Sequence, residues 1–128
     1  MAIPKHPTLE YISYAGQLLT GFLVALFGEW TMALQVLGFM IGIDYMTGIA
    51  RAWLNPEEQL DSDIGFTGIV KKVGYFCLVA IVYQLGLWLS ESMATAMFLR
   101  SWIVGALIVN EAVSAFENIA RFGDGKGD

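Results

Sequence analysis

"VNEAVSAFENIARF" (residues 109–122) closes the last apolar stretch of a 128-residue chain that is 56% hydrophobic. The stretch nevertheless holds two glutamates, two asparagines, a serine and an arginine. At about 100° per residue, the angle of an α-helix, Asn110, Glu111, Ser114, Glu117, Asn118 and Arg121 fall within an arc of about 120°. Ala112, Val113, Ala115, Phe116, Ile119 and Ala120 fill the rest of the circle. A helix divided in this way lies partly in an apolar medium and turns its other face to something polar. The nature of each decides the fold.

Composition identifies the medium. A mean hydropathy of +0.59 and a charged fraction of 15% are wrong for a soluble domain, in which about a quarter of residues are charged. The length suits one domain spanning 1–128. The net charge of −5 argues against a nucleic-acid partner. The single cysteine, Cys77, lies inside an apolar run and reads as a lipid- or core-facing residue without an intrachain disulfide. His6 sits in a proline-flanked leader and reads as solvated. No grouping of His, Cys, Ser and carboxylates suggests catalysis, a metal site or a cofactor, so the chain reads as a non-enzyme.

Working back from residue 122, four apolar stretches appear: about 8–27, 31–54, 66–89 and 94–122. Each reaches the ~20 residues that a helix needs to cross the ~30 Å hydrocarbon core. "GEW" (28–30) breaks the first from the second, and "SES" (90–92) breaks the third from the fourth. "NPEEQLDSDIG" (55–65) is the one substantial polar loop, opened by an Asn-Pro stop, with Ser62 or Asp63 as N-cap of the third helix. Residues 1–7 form an N-terminal tail and 123–128 a flexible Gly/Asp/Lys tail. The leader "MAIPKHPTLE" is a poor signal-peptide charged region and no small-x-small site follows, so the first stretch is expected to be retained.

Basic residues set the orientation. With four crossings, Lys5, Arg51, Lys71, Lys72, Arg121 and Lys126 share one side, against Arg100 on the other. The positive-inside rule then puts both termini and the 55–65 loop in the cytoplasm, with Lys71 and Lys72 anchored at the headgroups. The acidic loop residues Glu57, Glu58, Asp61 and Asp63 count little in that rule. Glu10, Ser13, Gly16, Gln17, Thr20 and Gly21 line one face of the first helix. That helix can therefore lie in the interface instead, leaving three crossings and an external N-terminus. The fold class is an all-α integral membrane bundle of four helices, three or four of them transmembrane.

Charges also lie inside the predicted spans. Asp44, Thr47, Gly48 and Arg51 share one face of the second helix, with Asp44 about 20 Å from its start. An acidic residue at that depth costs a few kcal/mol unless paired or wet. Glu111 should lie at a similar depth on the fourth helix, and two carboxylates do not satisfy each other. Arg51, Lys71, Lys72 and Asn110 are the available partners. Two readings stand: an internal hydrogen bond within one chain, or a polar seam between subunits that becomes a wet lumen. The seam would comprise Asp44, Thr47, Arg51, Asn110, Glu111, Ser114, Glu117 and Asn118. Gly38 and Gly42, at GxxxG spacing, would let helices pack closely. The third helix, nearly apolar all round, reads as a lipid-facing wall. Trp30, Trp53, Trp88 and Trp102 lie near predicted helix ends, as an aromatic belt would.

Three stretches taken together, "GIDYMTGIARAW" (42–53), "LDSDIGFTGIVKK" (60–72) and "VNEAVSAFENI" (109–119), resemble the toxin-secretion/phage-lysis holin family. The ordered features cover most of the chain from Gly38 to Asn118. The N-terminal helix and the acidic pair Glu57–Glu58 lie outside the pattern. The resemblance implies a small phage-encoded protein that accumulates in the host plasma membrane among its lipids. It would assemble into a large homo-oligomer and open lesions for a cell-wall hydrolase (an endolysin), in some systems restrained by an antiholin. Some members of the family are thought to export large toxins instead. A small ion-channel or transporter subunit and a membrane scaffold are the rival classes. The polar face of residues 110–121 would then meet a neighbouring subunit before opening, and water or the pore rim afterwards.

Overall fold

The computed structural model describes residues 6–55 and 62–124, with side chains from residue 65 onward in the second stretch. It contains four α-helices: α1 (Pro7–Phe27), α2 (Met32–Leu54), α3 (Ser62–Ser90) and α4 (Met93–Ala120). No strand occurs among the described residues. All four helices are long and apolar enough to cross a bilayer, which makes the chain an all-helical integral membrane protein. Most of the loop expected at 55–65 and the ends of both tails lie outside the described residues, as does the N-cap of α3.

Local chemistry explains the breaks. Pro7 occupies the first turn of α1, where its missing N–H would have had no intrahelical partner. Gly28 ends that helix at φ 77°, a conformation that a side chain rarely adopts. Ser92 caps α4 by accepting a hydrogen bond from the backbone N–H of Thr95 at 3.3 Å. The Ser90 hydroxyl donates to the Gly86 carbonyl at 2.6 Å, so the short break between α3 and α4 is held by its own hydroxyls.

α4 is the centre of the bundle, packed along α2 on one side and α3 on the other, while the C-terminal end of α1 meets α3, where Phe27 lies edge-on to Phe76. Leu34 and Leu37 from α2, Tyr75 and Val79 from α3, and Val104 and Leu107 from α4 form the core. α3 and α4 approach closely at Gly86, where an added Cβ would sit 2.8 Å from the Ala96 Cα. The third helix is therefore not a uniform lipid-facing wall: Tyr75, Val79, Tyr83 and Gly86 form a face buried on α4. Its hydrophobic pattern hides that face, because apolar residues also cover the outside. Exposed Trp53, Trp88 and Phe116 illustrate the outer surface, which is far too apolar for water and suits acyl chains. Trp30, Trp53 and Trp88 lie at or near helix ends, whereas Trp102 lies more than two turns inside α4. Cys77 is exposed.

Candidate functional site: a charged cluster shared by three helices

α2, α3 and α4 each bring one charged side chain to the same level of the bundle. The spacing is built into the helices: Asp44, Lys72 and Glu111 lie about 15 Å from Leu54, Ser62 and Ala120 respectively, at 1.5 Å per residue. The Lys72 ammonium donates to Asp44 Oδ2 at 2.8 Å and also to Glu111 Oε2. Only 15% of the Lys72 side chain is exposed, against 13% for Asp44 and 2% for Glu111.

Asn118 lies two turns beyond Glu111 and extends the cluster. Its amide Nδ2 lies within hydrogen-bond distance of Asp44 Oδ1 (3.2 Å), the Asp44 carbonyl (3.3 Å) and Thr47 Oγ1 (3.3 Å). Thr47 donates to the Asp44 carbonyl at 3.0 Å, and Arg51 Nη1 donates to Asn118 Oδ1 at 3.2 Å. Gly48 lies beside Asn118: a Cβ there would be 3.5 Å from Asn118 Nδ2, an ordinary van der Waals contact. Among the described residues, two carboxylates, one ammonium and one guanidinium give a formally neutral cluster. Neutrality and dense hydrogen bonding are the conditions under which charges survive in a low-dielectric interior.

The expected residues thus separate. Asp44, Thr47, Arg51, Glu111 and Asn118 come together inside one chain. Ser114, half-buried one turn past Glu111, lies on the same side of α4. Asn110 points elsewhere and donates to the Tyr75 hydroxyl at 2.7 Å, while Glu117 is exposed. Lys71 is exposed, its ammonium 5.9 Å from the Tyr75 ring centroid. Lys72, grouped with it in the sequence as a headgroup anchor, instead turns inward to Asp44 and Glu111. Consecutive helical side chains diverge by about 100°, so neighbours in sequence can face lipid and core. Gly38 and Gly42 face outward, and a Cβ at either would meet nothing within 4 Å.

Two polar anchors were not singled out from the sequence. Arg100, 1% exposed, donates through Nη1 to the carbonyls of Phe27 and Glu29 (2.8 Å for Glu29) and through Nη2 to Thr31 Oγ1 at 3.3 Å. Its guanidinium also lies 5.9 Å from the Tyr83 ring centroid. It ties the α1–α2 turn to α4, aided by Gln84, whose Nε2 donates to the carbonyls of Ala25 and Leu26. At the opposite end Asn55, 2% exposed, donates to the Arg121 carbonyl at 2.9 Å and accepts from the Gly123 N–H at 3.1 Å. A lone arginine inside an apolar stretch was the available signal for the first. Nothing local marks Asn55 as more than a helix stop.

The profile of the bacteriophage holin family matches residues 21–126. The chain is 34% identical over 113 residues to an uncharacterised protein of Halalkalibacterium halodurans, covering 88% of this chain and 82% of that protein. An uncharacterised protein of Listeria monocytogenes is 36% identical over 99 residues, 77% of this chain and 66% of its own length. An uncharacterised 14.9 kDa protein of Clostridium perfringens is 32% identical over 115 residues, 90% of this chain and 83% of its own. No solved structure matches. The matched region contains α2, α3 and α4 entire, and with them every residue of the charged cluster, but only the C-terminal end of α1.

Proposed function

The chain belongs to the bacteriophage holin family, and on that premise we propose that it assembles in the host plasma membrane and opens it. The protein accumulates there as a bundle with both termini and the 55–65 loop on the cytoplasmic side. At a set moment copies associate, and the lesions they form let a cell-wall hydrolase reach its substrate. An antiholin is a further candidate partner.

The observation that carries this reading is the state of α4's polar face. Glu111 and Asn118 are buried in one chain and paired with α2 and α3, while the outer surface of the same helices is apolar. A protein that must first sit sealed in a bilayer and later border water needs such a face, neutralised at first and hydrated afterwards. A merely structural bundle gains little from charges there, because apolar side chains of similar volume pack at lower desolvation cost.

Inducible expression in bacteria tests the proposal, with membrane potential, optical density and leakage of a cytoplasmic enzyme followed together. Collapse of the potential, a fall in optical density and release of the enzyme should coincide. Depolarisation without enzyme leakage would replace lesions with a small ion channel. A membrane that stays sealed would leave a scaffold.

A further inference from the structure

We propose that Lys72 is the latch of the sealed state and that Glu111, rather than Asp44, is the carboxylate it restrains. The inference rests on the lesion-forming reading and specifies its regulation. The two acids are not held alike. Asp44 has a second hydrogen bond that does not involve Lys72, accepted by Oδ1 from Asn118 Nδ2 at 3.2 Å. Among the described residues the donor to the Glu111 carboxylate is the Lys72 ammonium. Glu111 is also the more deeply enclosed, its side chain 2% exposed against 13% for Asp44.

Lys72 itself is suited to let go. It is a flexible four-carbon stem carrying a strongly hydrated point charge, and its side chain is 15% exposed where that of Glu111 is 2%. Its two bonds join α3 to α2 and to α4 at once, so one release removes both charged contacts of α3 and leaves Asn118 as the polar tie between α2 and α4. Among the described residues, Glu111 is then a buried charge with no cation bonded to it. It must take up a proton or carry its face of α4 toward water, and that face holds Ser114 and Asn118. The latch therefore makes the exposure of a whole polar face depend on one side-chain contact.

A substitution series tests this in a Cys77→Ala, Ser114→Cys background. The readouts are lysis time and the rate at which the introduced thiol reacts with a small water-soluble reagent in membranes. Lys72→Met should bring lysis forward and speed labelling by about tenfold or more, as expected when a buried partner is left unsatisfied. Adding Glu111→Gln to Lys72→Met should return both to the starting level or later, whereas adding Asp44→Asn should leave labelling fast. Lys72→Arg, which keeps the charge, should stay near the starting level. Unchanged labelling in Lys72→Met, or equal rescue by Asp44→Asn and Glu111→Gln, overturns the latch. So does failure of Lys72→Met to accumulate where Lys72→Met/Glu111→Gln accumulates, because the bond is then needed only for folding. Labelling that follows this pattern in cells that never lyse would support the latch and overturn the lesion-forming reading.

Discussion

Lys72 Nζ lies 2.8 Å from Asp44 Oδ2, on another helix and 28 positions along the chain. The same ammonium bonds Glu111 on a third helix. The face of α4 announced by residues 109–122 is thus met, at its two most buried polar positions, by side chains of its own chain. Under the proposed function, the same face borders water once copies associate.

Asp44→Asn and Glu111→Gln each remove a charge that is costly to enclose and favours a hydrated state. Both variants should accumulate in the membrane and delay or abolish lysis, with the larger delay for Glu111→Gln. Lysis time against immunoblotted membrane protein checks this. Loss of accumulation in both would make the cluster a folding element, and wild-type timing in both would remove it from the lytic event.

Gly42 offers a test of self-association free of internal repacking. Since a Cβ there meets nothing within 4 Å, Gly42→Leu should leave the bundle intact and insertion unchanged. If copies approach along this face, the bulk of leucine should lower the yield of crosslinked oligomers. Equal yields from variant and wild type would place the interface elsewhere.

Topology follows from the basic residues. In a Cys77→Ala background, cysteines introduced by Ala2→Cys and Lys126→Cys should resist an impermeant thiol reagent in intact, unlysed cells. Labelling at residue 2 alone would mean that α1 does not cross and would leave three spans.

Gly28 leaves no room for a methyl group. At φ 77°, an added Cβ would lie 2.8 Å from the Tyr83 ring and 3.0 Å from Arg100 Nη1. Gly28→Ala should cost about 2–3 kcal/mol from backbone strain and displacement of the Arg100 anchor. Gly16→Ala, in the open middle of α1, should be neutral or stabilise by up to about 1 kcal/mol. Thermal unfolding of the two purified variants in detergent compares them directly.

The number of helices, their lengths and their class were legible in the sequence, because a bilayer imposes a strong requirement. About 20 apolar residues must run unbroken, and every interruption is visible as "GEW", "NPEE" or "SES". The divided face of 109–122 was legible too, since helical periodicity is a local property, and so were Asp44 and Glu111 as charges in need of partners. Which partners they take was not. Lys71 and Lys72 are identical in type and adjacent in the chain, yet one faces outward and the other enters the bundle. Rotation of α3 about its own axis decides between them, and that rotation is set by Tyr75, Val79, Tyr83 and Gly86 packing on α4. Arg100 likewise appears in the sequence as a stray charge, and becomes an anchor only because the α1–α2 turn folds back over it and presents carbonyl oxygens. The sequence by itself determined four membrane-length helices and an unpaired acidic face, since both depend on spacing along one helix. Only the tertiary structure decided which cation neutralises that face, since this depends on how separate helices turn toward one another.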